Sequence, residues 1–175
     1  MVDKAACSST HQPLTTTSTT TTMILISRSA DALQETARLV EKRGGGMITT
    51  QCHDMDLSNL DTIVDDFSSV LEKSSYGADD AGSLQYESCW LINNAGSLGP
   101  VGLASSFSSS SCGESIKELR RAVDLNLTSS IWLSSQFTKR FLTTSKSIRI
   151  VNISSLCALE PFPTMSIYCA GEFMK

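Results

Sequence analysis

The sequence predicts an α/β fold, a doubly wound parallel sheet, on three observations. Four short apolar runs of strand length, Met23–Ser27, Met47–Cys52, Cys89–Ile92 and Arg149–Ile153, are separated by stretches whose apolar residues recur at helical spacing. Strands that alternate with helices pair in parallel through right-handed crossovers, with helices covering both faces. Small polar residues follow two of the runs, Asn93-Asn94-Ala95-Gly96 after the third and Ser154-Ser155 after the fourth. Open sheets of this kind bind ligands at those carboxyl ends.

Each element has its own local reason. Residues 1–22, with Thr at 15–17 and 19–22, form a low-complexity tail ahead of one domain spanning 23–175. After the first strand, Ala30–Lys42 places Leu33, Ala37 and Val40 on one helical face, and Gly44-Gly45-Gly46 stops that helix. Met47–Cys52 is β-branched and reads as the second strand. Ser58-Asn59-Leu60-Asp61 has the form of a capping box, opening a helix whose stripe is Leu60, Ile63, Val64, Phe67, Val70 and Leu71. A polar connection over 74–85 leads to the third strand, and a Ser-rich loop over 97–112 follows it. Ile116, Leu119, Val123, Leu127, Ile131, Phe137 and Phe141 then fit one long helix with room for a kink, before the last strand.

The whole chain narrows the function classes. At 175 residues and 41% apolar composition it can bury one sizeable core. Fourteen basic against eighteen acidic residues, a net charge of −4, leave no basic stripe for a nucleic acid. No run approaches the roughly 20 apolar residues of a membrane span, and the first 22 residues have no apolar signal core. Six cysteines without C-x-x-C pairing read as reduced thiols of a cytoplasmic protein, and neither His11 nor His53 has a metal-ligand or catalytic partner in sequence.

The residues after the strands carry the chemistry. Asn93-Asn94-Ala95-Gly96, then Asn126 in a helix, then Ser155 thirteen residues before Tyr168, stand in a fixed order. Taken singly, each has a structural reading: loop serines bonding local backbone, a satisfied helical amide, Arg28 as a solvated charge, Asp56 as a helix-start acid. In order and at these spacings they resemble the short-chain dehydrogenase/reductase family, from about Met23 to Gly171. Leu91–Gly99, Val151–Leu159 and Tyr168–Gly171 are most similar to the family's pterin-ketone reductases.

The resemblance implies a Rossmann-like fold, NADP as cofactor, a small pterin-like carbonyl substrate and a homodimer. By position, it implies that Tyr168 protonates the carbonyl oxygen while Ser155 hydrogen-bonds it, because hydride addition builds an alkoxide that needs a donor and a fixed dipole. Asn126 matches the helix-kinking residue that holds a relay water. Asp56 and Leu57 match the adenine cradle, and Asn94, Ala95 and Gly96 the residues beside the adenosine ribose. Arg28 matches a contact to the 2′-phosphate that selects NADP over NAD.

Two departures from the family pattern lead to the expectation of a cut-down, inactive chain. The family's first strand and its T-G-x-x-x-G-x-G turn belong ahead of Met23, yet residues 1–22 contain no glycine. That turn grips the pyrophosphate with backbone N–H groups. Its absence leaves two strand edges that must pair with each other, recruit the Thr-rich tail, or stay open. In the family's Tyr-x-x-x-Lys, position 172 is Glu, of opposite charge, and Lys175 lies one turn further on, where a frayed end is expected. The family's later strands are also expected to be lacking.

Overall fold

A computed structural model describes residues 20–73, 86–103, 105 and 112–175. The residues 1–19, most of the Thr-rich tail, the connection over 74–85, and 104 and 106–111 of the Ser-rich loop lie outside the described residues. The described elements alternate as expected: β1 (Thr21–Ser27), α1 (Ala30–Gly44), β2 (Ile48–Asp54), α2 (Leu60–Lys73), β3 (Cys89–Asn93), α3 (Cys112–Val123), α4 (Ser129–Phe141), β4 (Ile148–Asn152) and α5 (Ser166–Met174).

Local chemistry sets the helix ends. Ser29 caps α1 by accepting from the Ala32 N–H at 3.3 Å, Asp31 sits in the positive first turn, and Lys42 and Arg43 sit in the negative last one. Gly45 closes the helix at φ +58°, a left-handed conformation that glycine adopts without strain. The start of α2 differs from the capping box read in the sequence. Asp56 Oδ1 accepts both the Ser58 N–H and the Ser58 hydroxyl, while Asn59 accepts from the Asp61 N–H through Oδ1 and from the Ile63 N–H through its carbonyl. Asn59 is therefore the cap, because Asp56 has already engaged Ser58. The expected long helix is α3 and α4 run together through one π turn, Asp124–Thr128, in which Ser129 N–H reaches the Asp124 carbonyl.

The strands form two parallel pairs in place of one sheet: β1 with β2, in register from Thr21↔Ile48 to Ser27↔Asp54, and β3 with β4, from Cys89↔Ile148 to Asn93↔Asn152. Among the described residues no strand lies between β1 and β3, and these two edges do not pair with each other. Side chains hold the halves together instead. Met55, Ile63, Phe67, Val70 and Leu133 are buried as one cluster, and Ile24 and Ile26 of β1 and Leu91 of β3 pack against it. Phe67 meets Trp132 edge to face at 5.9 Å. On the opposite face of β1–β2, Cys52 donates to the Leu33 carbonyl of α1.

The sheet is covered on both faces only in its first half. Trp90 and Ile92 alternate outward from β3 at 52% and 58% exposure, with the Arg149 guanidinium 4.6 Å from the Trp90 ring centroid. The carboxyl ends of the two pairs nevertheless lie together, since Arg28 and Asp56 border one cavity with Ser97 and Gly99. Met55 N–H bonds the Ser27 carbonyl past β1–β2, and Ile153 N–H bonds the Asn93 carbonyl past β3–β4.

Candidate active site

Two cavities open at those carboxyl ends. The first, of about 330 Å³, is bordered by Arg28 after β1, Asp56 and Ser58 after β2, Gly99 after β3 and Arg121 of α3. Burial is the largest single influence on the Asp56 carboxyl and raises its pKa. The two hydrogen bonds from Ser58 and the charges of Arg28 and Arg121 together outweigh it and hold the carboxyl below its ordinary value. The result is a carboxylate held by Ser58 within the field of two guanidinium groups. Leu57 packs its side chain against the hydrophobic core.

The second cavity, of about 280 Å³, is bordered by Asn94, Gly96, Ser154, Tyr168, Glu172 and Lys175. Of the two serines after β4, Ser154 lines it and donates from Oγ to the Glu172 carbonyl at 2.8 Å. Ser155, the residue picked by spacing, instead caps a short 3-10 turn, Leu156–Ala158, by accepting from the Cys157 N–H at 3.2 Å. Ala95 contributes its carbonyl, which accepts from Lys175 Nζ at 3.0 Å.

Asn126 lies in the π turn, 1% exposed. Its Oδ1 accepts from the Ser97 N–H at 2.8 Å and its Nδ2 donates to the Ser97 carbonyl at 2.7 Å. Both ends of the amide are thus used to pin the loop after β3 to the kinked helix. Tyr168 reaches the cavity because α5 crosses that kink closely: a Cβ on Gly171 would stand 3.0 Å from Asn126 Cβ. The site therefore brings together Tyr168, Asn94 and Gly96, with Ala95 at its edge. Arg121, Ser154, Glu172 and Lys175 join the two cavities without having been assigned to the site from sequence.

The sequence matches the profile described as short chain dehydrogenase over residues 15–173. It is 38% identical over 121 residues to a benzil reductase, (S)-benzoin forming, of Bacillus subtilis, covering 69% of this chain and 44% of that protein. The chain belongs to the short-chain dehydrogenase family. A sepiapterin reductase of Xenopus tropicalis is 30% identical over 156 residues, 86% of this chain and 52% of that one, and that of Rattus norvegicus is 41% identical over 83 residues. The chain thus spans about half or less of the length of these relatives. Among solved structures, a short-chain dehydrogenase from Sphingobium yanoikuyae in complex with NADPH superposes with a TM-score of 0.59 at 24% identity, covering 87% of this chain and 51% of its own. That likeness shows the fold, an incomplete Rossmann-like α/β unit.

NADP(H) is the family's cofactor, and the residues present fit it unevenly. The first cavity sets Arg28 and Arg121 against Asp56 and Glu118, a lining of donors and acceptors that suits a hydroxylated group. Gly96 leaves room for close approach, since a Cβ there would stand 3.2 Å from Lys175 Nζ. No described residue reproduces a glycine-rich pyrophosphate turn, so that part of the dinucleotide has no counterpart among them. No group of three metal-ligating side chains occurs among the described residues, and no helix among them is long and apolar enough to cross a membrane.

Proposed function

We propose that this protein derives from an NADPH-dependent carbonyl reductase whose substrate is a pterin side-chain ketone, and that the 175-residue chain itself does not turn over. The convergence of Tyr168, Asn94, Gly96 and Ser154 on one cavity at the strand ends carries this reading. When bound, NADPH supplies hydride to the carbonyl carbon. Tyr168 lines the same cavity, and its hydroxyl is the proton donor to the carbonyl oxygen. A serine hydroxyl after β4 orients that oxygen, Ser155 by family position and Ser154 by placement. Asn126 keeps the loop after β3 in place through Ser97. The reading without turnover is supported by the lack of a glycine-rich pyrophosphate cradle among the described residues. The free cysteines Cys52, Cys89, Cys157 and Cys169 support a cytoplasmic setting.

Titration of the purified chain with NADPH, followed by nicotinamide fluorescence, tests this. Saturable binding should be absent up to high micromolar concentration, and sepiapterin should not be consumed. Micromolar binding together with turnover refutes the inactive reading. A second reading, a non-catalytic form that pairs with a full-length homologue, is supported by Ile116, Val123 and Ile131, exposed at 58%, 41% and 58% along α3–α4. Co-purification of the two tagged chains distinguishes it.

A further inference from the structure

Two strand edges run beside each other without pairing. Thr21 and Cys89 donate to the carbonyls of Met47 and Ser147, while the carbonyls of Ser27 and Asn93 accept from Met55 and Ile153, so the odd-numbered residues of β1 and β3 serve β2 and β4. The backbone groups of Thr22, Ile24, Ile26, Trp90 and Ile92 turn the other way and meet no backbone partner among the described residues. Both edges flank one slot. Ile24 and Ile26 of β1 and Leu91 of β3 pack against the same buried cluster, and Arg28 after β1 borders one cavity with Ser97 and Gly99 after β3.

An extended segment laid in that slot can bond both edges, its successive residues turned to β1 and β3 in alternation. Its side chains meet apolar surface on each face. Ile24, Ile26 and Leu91 lie towards the core, and Leu25, Trp90 and Ile92 lie on the opposite face, where the register partner of Leu25, Cys52, donates to α1. Strands enclosed on both faces are continuous apolar runs. Residues 1–19 contain no such run of strand length, and positions 15–19, all Thr or Ser, would carry hydroxyls into an apolar slot. We propose that the slot between β1 and β3 is a docking site for an apolar, β-branched strand of another polypeptide chain, held by backbone hydrogen bonds to both edges.

The probe is a synthetic peptide of alternating Val and Ile, matched to the seven residues of β1 and flanked by lysines. It is added to the native chain and followed by hydrogen exchange. The amides of Thr22, Ile24, Ile26, Trp90 and Ile92 should be fast in the chain alone and slow about tenfold or more at saturating peptide. Two N-methylated versions, blocked at odd or at even positions, each replace the donors facing one edge with methyl groups. Each should bind about a hundredfold more weakly than the parent peptide, the worth of roughly three backbone hydrogen bonds. A peptide with the sequence of residues 14–20 should leave all five amides fast. If either N-methylated version binds as tightly as the parent, the strand does not engage both edges and the inference fails. Protection by the 14–20 peptide refutes the apolar preference. The inference also fails if the Val/Ile peptide protects none of the five amides. It fails again if they are already slow in the chain alone, whether at every protein concentration, as its own residues 1–19 would cause, or only at high concentration, as a second copy would.

Discussion

Asn126 shows how one side chain can serve the fold and the site together. It spends both amide ends on the backbone of Ser97 while almost fully buried. Asn126→Ala should therefore cost about 2–5 kcal/mol in urea denaturation, because two backbone groups lose partners that water cannot replace. His53 presents the opposite case. Its Nε2 is buried without a hydrogen bond, and burial first, then the charge of Lys73, lowers its pKa below 6.5. Well above pH 6.5 the ring is neutral in both folded and unfolded chains and contributes nothing to pH dependence. As pH falls below that value the unfolded chain takes up the proton first, so stability declines until the folded pKa is passed. The urea midpoint should drop between pH 7.5 and 5.5, and H53Q should flatten the drop. At this scale the sequence spacing picked out Asn94, Gly96 and Tyr168, which border one cavity in the structure. Arg121 reaches its cavity from α3, which no local spacing signals, whereas Lys175 follows Tyr168 at the end of α5 and was passed over as a frayed end that hydrogen bonds in fact tie down.

The elements were legible because their periodicities are local. The α2 stripe holds in the structure: Ile63, Phe67 and Val70 are buried and Leu60 and Leu71 pack beside them, while Val64 faces outward at 47% exposure. Ile63→Ala should cost about 2–5 kcal/mol, read from the denaturation midpoint, whereas Val64→Ala on the same helix should cost far less. The cap of α2 was misread because a Ser-x-x-Asp pattern cannot reveal that Asp56 already holds Ser58. The π turn at Asp124–Thr128 was foreseen only as a kink, since one extra residue in a turn leaves the apolar spacing almost unchanged.

For the whole molecule, strand pairing is non-local: the alternation of strands and helices alone read as one sheet, while the missing first strand of the family pattern pointed to the gap between β1 and β3 without fixing how their edges would end. The register makes the parting measurable. Thr21 N–H bonds the Met47 carbonyl and the Ser27 carbonyl accepts from Met55, so odd-numbered residues of β1 face β2. Thr22, Ile24 and Ile26 then direct their N–H groups to the unpaired side, as do Trp90 and Ile92 in β3, where Cys89 N–H bonds the Ser147 carbonyl. Hydrogen exchange should alternate with a period of two along both strands, fast at these five positions and slow between them. Uniform protection along β1 would show that its edge is occupied.

The bare flank of the second half-sheet also equips the protein with two separate optical gauges. The chain has two tryptophans. Trp132 is packed against Phe67 where the halves join, while Trp90 lies half open beneath Arg149. Acrylamide should quench Trp90 emission and largely spare Trp132. Anything that comes to cover that flank will register as a blue shift from Trp90 alone, and separation of the halves as a red shift from Trp132.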